Sequence, residues 1–441
     1  MPKISLITLG CAKNLVDSEV MLGRLDSAGY QFTASLNEAD ILIINTCGFI
    51  QPARQEAEQA IEQGLKWKKK KSGRLLVVVG CYVQRFSKYL KVRYPQVDLW
   101  TGVSSFDRID ELIEKKQDIL KQGAFLLNHT TPRVVTTGPH WTYVKISEGC
   151  SHRCSFCSIP LIKGSYKSRT INSVVQEVKN LAGLGIREIN LVSHDTTYFG
   201  RDRRLTHGLI RLIERLLPIQ GIEWIRILYG YPEEIDGVLL DLMIEDKICR
   251  YLDLPFQHAS PAILKKMGRS MSGSRALKLI DRIRKKVPGV AIRTSLIVGF
   301  PGEGKKEFQE LEDFVFRARF EHLGVFCYSP EPGTRATILK DPIAQVEKEK
   351  RRQELLLIQQ DISKKFYESF AGQDLRVLVE GPDLTRPGLL AARAQFQAPE
   401  VDGMTLIEGW SKAWNQLQPA FLNIKIERAL TYDLVGKVIN D

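Results

Sequence analysis

The chain has 441 residues, 44% hydrophobic and 26% charged, the balance of a globular protein with too much sequence for one core, so about two to four domains are expected. No apolar run approaches the roughly 18 residues of a membrane-spanning helix, and Met1-Pro2-Lys3 runs into strand-like Ile4-Ser5-Leu6-Ile7-Thr8-Leu9 rather than a signal peptide, which excludes a membrane protein and points to the cytoplasm. The formal charge of +12 invites nucleic acid as a partner, yet residues 371–441 hold seven Lys or Arg against nine Asp or Glu, so a net +14 lies before them.

Up to about residue 130, strand-like runs at 4–9, 41–45 and 75–79 each precede an amphipathic stretch, the pattern of a parallel α/β sheet. Each run ends at a cysteine: Leu9-Gly10-Cys11, Asn45-Thr46-Cys47 and Val79-Gly80-Cys81. The spacings, 36 and 34 residues, are about one βα unit each, so three consecutive strands deliver a thiol to the carboxyl edge, where open α/β sheets bind ligands. Three converging thiolates there imply a metal centre; the alternative is separate burial of three small residues. The densest basic run, Lys66-Trp67-Lys68-Lys69-Lys70-Lys71, closes a predicted helix, where the helix dipole favours cations without any nucleic acid.

The second segment, about 140 to 340, opens with Tyr143-Val144-Lys145-Ile146-Ser147-Glu148-Gly149 and then Cys150, Cys154 and Cys157 in a C-x-x-x-C-x-x-C loop. Three thiolates on one loop can each take a corner of a 4Fe-4S cubane, leaving the fourth iron open to chelate the amino and carboxylate groups of S-adenosylmethionine (SAM) and reduce its sulfonium. A structural zinc site, which needs a fourth ligand, and a disulfide are the alternatives. His152, inside the loop, cannot easily turn back onto the same metal. Strand candidates follow at 187–193, 223–228, 250–254, 291–298 and 322–327, with helical patterns at 174–184, 205–217 and 307–318. Six βα units fit a partial barrel with the cysteine loop at its mouth. Cys249 and Cys327, in apolar stretches without a cysteine nearby, read as packing residues.

A charged helical stretch from roughly Pro342 to Phe370 leads to β-rich runs at 374–379, 389–394, 404–408, 421–427 and 432–438, which suggest a small OB-like barrel.

The C-x-x-x-C-x-x-C loop resembles the signature of the radical-SAM superfamily, and the two cysteine triads with the terminal barrel resemble its methylthiotransferase family along nearly the whole chain. The resemblance implies an α/β protein in three parts: 1–130, an amino-terminal parallel α/β domain with an auxiliary 4Fe-4S cluster; 136–368, a partial (β/α)6 radical-SAM core; and 370–441, a TRAM barrel. Four stretches resemble the branch that methylthiolates the β-carbon of an aspartate in ribosomal protein twelve of the small subunit. They are Leu9 to Glu19, Lys145 to Cys150, Tyr251 to Ser260 and Ile297 to Glu303. The branch that modifies tRNA adenosine more often has Gly-Cys-Gln-Met-Asn at the first cysteine and lacks Gln257-His258-Ala259-Ser260. Departures are His194 where that protein-modifying branch has glutamine, Gly304-Lys305-Lys306 in place of a more acidic helix start, and Ala391-Ala392-Arg393 where glycine often precedes arginine.

By the same resemblance, Cys11, Cys47 and Cys81 hold the auxiliary cluster with the sulfur to be transferred. Cys150, Cys154 and Cys157 hold the cluster that cleaves SAM, with a reduced flavodoxin or ferredoxin as electron donor. Ribosomal protein twelve is then the partner, met alone or during ribosomal assembly. Phe156 is expected beside the cluster or the adenine. Gly299 admits either a close approach to SAM or a plain strand-end turn. Asp195, Arg293 and Glu303 are candidates for SAM or substrate contact, with structural roles as the alternative, and His258 faces either the substrate pocket or a satisfied burial. No catalytic residue is expected beyond the cluster ligands. The rival functions are tRNA adenosine methylthiolation and a nonenzymatic iron-sulfur or RNA-binding protein.

Overall fold

Helices long enough to cross back over a sheet turn successive apolar runs into parallel strands. The computed structural model describes residues 2–121, 123–340, 343–409 and 420–439. In its first part β1 (Lys3–Thr8), α1 (Ala12–Ser27), β2 (Gln31–Phe32), β3 (Ile41–Thr46), α2 (Gln51–Lys69), β4 (Leu75–Gly80), α3 (Cys81–Arg93) and β5 (Leu99–Thr101) build a sheet ordered β2-β1-β3-β4-β5. The two- and three-residue strands β2 and β5 are too short to show an alternation in sequence. Side chains alternate between faces: Ile41, Ile43, Val77 and Val79 pack with Val16, Val20 and Met21 of α1, while Leu42, Ile44, Leu76 and Val78 pack with Ala57, Ile61 and Val83 of α2 and α3. α2 ends in the basic run, with Lys68 on Asp98 at 2.6 Å and Lys71 on Asp40 at 3.0 Å.

After α4 (Ile109–Lys115), the chain closes on itself at Gly23 of α1. A β-carbon there would lie 2.4 Å from the Arg133 nitrogen and the Pro132 carbonyl carbon. Gly23→Ala is therefore expected to lower the urea midpoint by the equivalent of about 1–3 kcal/mol, the usual cost of overpacking. An unchanged midpoint would show that the 132–133 segment moves aside freely.

The second part runs β6 (Trp141–Lys145), β7 (Ser147–Glu148), α5 (Ile159–Lys163), β8 (Lys167–Ser168), α6 (Ile171–Gly183), β9 (Glu188–Val192), α7 (Gly208–Leu216), β10 (Trp224–Ile227), α8 (Gly237–Leu242), β11 (Ile248–Asp253), α9 (Pro261–Met267), α10 (Gly273–Lys286), β12 (Ala291–Val298), α11 (Lys305–Ala318) and β13 (His322–Cys327). Six strands form one parallel sheet ordered β13-β12-β11-β10-β9-β6, the expected partial barrel. The β7–β8 pairing brackets the cysteine loop, a detail hidden in sequence by the brevity of both strands. Cys249 is fully buried, and the half-buried Cys327 thiol lies 3.7 Å from the Glu349 carboxylate.

The charged stretch is α12 (Gln345–Glu368); Pro342, its predicted start, lies outside the described residues. Beyond it β14 (Asp374–Pro382), β15 (Leu390–Arg393), β16 (Thr405–Glu408), β17 (Phe421–Ala429) and β18 (Leu434–Val438) close into a barrel, β14-β15-β16-β18-β17. This small barrel sits against the amino-terminal ends of the six parallel strands. Arg393 reaches Glu188 at 2.6 Å, Tyr143 reaches Glu400 at 2.8 Å, Tyr251 reaches Asp402 at 2.7 Å, and Arg226 donates to both Glu188 and the Gln395 carbonyl. The carboxyl ends of the strands are left to the first domain.

Candidate functional site

β1, β3 and β4 are neighbours in their sheet, so Cys11, Cys47 and Cys81 emerge side by side at its carboxyl edge. Glycines beside the cysteines permit the crowding. Gly10 has φ of +95°, and a β-carbon on it would fall 2.7 Å from Cys47 Cβ; one on Gly48 would fall 2.6 Å from Tyr82 Cα. Burial, together with the nearby Cys11, pushes the Cys47 thiol up to about 11. Burial raises Cys81 further, against the pull of Lys163. Thiols held neutral in this way give up their protons to a metal, whose charge replaces them.

On the second loop, the Cys150 amide donates to the Gly164 carbonyl at 3.1 Å, the Cys157 amide to the Cys154 carbonyl at 3.3 Å and the Ser155 amide to the Met267 carbonyl at 2.8 Å. Burial lifts Cys150 to about 11 and Cys157 to about 12, with Cys154 adding to both. Arg269 Nη1 lies 3.9 Å from Cys154 Sγ, a cation beside a site that gathers negative charge. Among the described residues no three His, Cys, Asp or Glu side chains converge on a point for a single ion. A cubane asks for something else, since each thiolate binds a separate iron. The donor set, three free thiols at one sheet edge and three on one loop, fits that group.

The Cys150 loop abuts the loop after β3: Ser158, next to Cys157, donates to the carbonyl of Phe49, two residues past Cys47, at 3.2 Å. Behind them lies a box of four buried charges. Asp17 pairs with Lys145 and, at 2.8 Å, with Lys163; Glu148 pairs with Lys145 at 2.8 Å and Lys163 at 3.3 Å. The His194-Asp195 dipeptide spans the gap. Asp195 Oδ2 meets His152 Nε2 of the cysteine loop at 2.5 Å, whereas His194 feels burial first and then Lys13, Lys163 and Lys145, which hold its imidazole well below the usual histidine range.

The remaining sequence candidates divide. Phe156 packs against the patch of Ile263, Met267, Phe300, Tyr328 and Ala336 under the cysteine loop. Asp195 also caps the 196–198 turn, accepting from the Tyr198 amide at 3.1 Å. Gly299 has φ of +72°, donates to Glu303 at 2.9 Å and is covered by the Lys348 stem, in the manner of a strand-end turn. Glu303 also receives Arg351 at 2.7 Å and His258 Nε2 at 3.2 Å, while His258 Nδ1 accepts from the Ser260 amide at 3.0 Å, so both imidazole nitrogens are satisfied. Arg293 points away from the cysteine loops to Asp402 of the small barrel, at 2.5 Å. At Gly304 the Glu307 carboxylate accepts the amide at 2.9 Å and makes good the acidic start that Lys305 and Lys306 lack. Sequence reading missed Lys13, Asp17, Lys145, Lys163 and Tyr229. Their trace in sequence is the set of polar residues from Lys13 to Glu19 on the helix after Cys11, where the buried face carries Lys13, Asn14, Asp17, Ser18 and Glu19.

Residues 3–102 match Uncharacterized protein family UPF0004, residues 144–315 the Radical SAM superfamily and residues 371–439 the TRAM domain. The chain is 41% identical over 436 residues to the ribosomal protein uS12 methylthiotransferase RimO of Aquifex aeolicus (strain VF5), covering 99% of this chain and 97% of that one. It is 42% identical to the protein of the same name from Clostridium acetobutylicum, over 100% of this chain and 98% of that one. Among solved structures it is similar in fold to TsrM from Kitasatospora setae, a radical S-adenosylmethionine methyltransferase, with a TM-score of 0.55 at 16% identity over 75% of each chain.

Proposed function

This chain belongs to the RimO family of radical-SAM methylthiotransferases, and from that premise we propose that it methylthiolates the β-carbon of an aspartate in ribosomal protein uS12, protein twelve of the small subunit. The observation that carries the reading is the abutment of two cysteine triads from two domains, joined through Ser158 and Phe49. Radical-SAM membership implies SAM and one 4Fe-4S cluster; the reading adds a second.

Residues 1–130, 136–368 and 370–441 act in it as auxiliary-cluster domain, radical-SAM core and TRAM barrel. Cys150, Cys154 and Cys157 would hold one 4Fe-4S cluster and Cys11, Cys47 and Cys81 the other. Bound there, these clusters supply the electron that releases a 5′-deoxyadenosyl radical from SAM and the sulfur that the substrate receives, chemistry that an unactivated C–H bond requires because no general base can deprotonate it. The chain's own residues arrange the encounter. Arg269 offsets charge at Cys154, and the Asp195–His152 contact fixes the far wall of the second loop. Phe156 seals the loop underneath. Gly299 and Glu303 brace the turn at the end of β12, and Arg293 ties the core to the TRAM barrel. The electron arrives from reduced flavodoxin or ferredoxin, and the substrate is met in the cytoplasm, free or on assembling ribosomes. Among the described residues no helix is long and apolar enough to cross a membrane.

The test supplies reconstituted protein with SAM, a reductant and either uS12 or tRNA. A methylthio mass increment on the target aspartate is expected. An increment on tRNA alone would transfer the assignment to the nucleic-acid-modifying branch, and absence of 5′-deoxyadenosine would leave only a binding protein.

A further inference from the structure

Buried cations in this fold are met by acceptors. Lys145 and Lys163 share Asp17 and Glu148, Arg226 and Arg393 share Glu188, Arg133 and Arg169 share Glu177, and Arg74 donates to the carbonyls of Trp67 and Asn37. Lys13 breaks the pattern. It is only 7% exposed, yet among the described residues neither a carboxylate nor a backbone carbonyl receives its ammonium, which lies 3.3 Å from the centre of the Tyr229 ring. Its direct partner is the Tyr229 side chain, and the Cys11 thiol and Asp253 favour its charge from farther off, so among the described residues no carboxylate within ion-pair distance competes with an incoming anion.

The support beneath Lys13 is itself strained. Tyr229 has φ of +60°, a left-handed backbone that a bulky side chain rarely adopts. Two hydrogen bonds hold it there: its amide donates to Asp253 Oδ2 at 3.2 Å, and its carbonyl accepts from the Thr196 amide at 2.9 Å. A polar atom nearby is unmet, because His194 Nδ1 is buried without a hydrogen-bond partner. Lys13 follows Cys11 by two residues, and His194 precedes Asp195, whose carboxylate touches the Cys150 loop. Lys13 therefore stands beside the first triad and His194 beside a contact of the Cys150 loop.

We propose that Lys13 binds the side-chain carboxylate of the target aspartate, with His194 Nδ1–H as its second contact, so that the β-carbon is presented between the two cysteine loops. The proposal rests on the function inferred above. In that reading the SAM carboxylate is taken by the open iron, and the anion that arrives with the substrate is its side-chain carboxylate. Tyr229 acts as a positioning residue that keeps the ammonium buried and pointed into the gap.

The experiment measures equilibrium binding of two labelled uS12 peptides to full-length reconstituted protein, one with the target aspartate and one with asparagine in its place. Wild type is expected to prefer the aspartate peptide by about tenfold or more, the usual worth of a hydrogen bond to a charged group. Lys13→Met should erase that preference by weakening the aspartate peptide selectively, Lys13→Arg should restore part of it, and the KM for SAM should not follow. Equal weakening of both peptides, or an effect confined to SAM, would overturn the proposal. Should Lys13→Met fail to fold, the wild-type comparison still decides, because equal binding of both peptides would sink it. Wild type that makes no 5′-deoxyadenosine would instead refute the underlying function.

Discussion

Cys150→Ala is expected to abolish 5′-deoxyadenosine formation while removing about four irons per chain, one cubane, and leaving the other triad loaded. Cys11→Ala should remove the complementary set: SAM cleavage persists, but no sulfur reaches the peptide. The expectation follows from the geometry, because the triads sit on separate sheets and share no ligand, and each loop is held by its own backbone hydrogen bonds, Cys150 to Gly164 and Asn14 to Cys11. Iron and sulfide analysis beside chromatographic assay of 5′-deoxyadenosine reads both variants. Loss of all iron in either one would show a single shared centre and undo the two-site account.

Asp17→Ala should produce the largest loss of stability. It leaves Lys145 and Lys163, both almost without exposure, facing Glu148 alone. Removing one partner from a buried charge network costs about 3–5 kcal/mol, because the remaining charge stays out of water. A urea titration of the metal-free chain measures it, and a loss under about 1 kcal/mol would mean that water enters the box. The box also sets a pH dependence. Burial alone would raise the Glu148 carboxyl, but Lys145 and Lys163 override it and hold it below the ordinary carboxylate range. A depressed carboxyl stabilises the fold above its unfolded pKa, and that contribution fades as pH falls through the folded value. Stability should therefore drop on acidification below about pH 4 in wild type, with a shallower slope in Glu148→Gln.

The three-part architecture and the cysteine pattern were legible in sequence because both rest on local regularities. β3 alternates strictly between two packed faces, and every cysteine of the first triad follows a strand within three residues. The charged interior was not legible. Lys145 and Asp17 are 128 residues apart, and their pairing depends on how α1 docks over the end of β6. Arg293 misled for a related reason: an arginine on a barrel strand reads as a ligand contact, yet β12 carries it low enough to meet Asp402 of the small barrel instead. His258 and Glu303 satisfy each other, a pairing across 45 residues that no periodicity announces.

The seating of the small barrel has a consequence for how the protein can be divided. Glu188, Arg226 and Tyr251 at the base of the core have partners in Arg393, Gln395 and Asp402, while Trp224 lies edge-on to Phe421 at 4.8 Å. A chain cut after α12 would uncover both ionic and aromatic surface in one stroke. The carboxy-terminal module is thus a floor to the enzyme rather than a tethered accessory, and fragments prepared without it should be recovered as aggregates instead of as a slower catalyst.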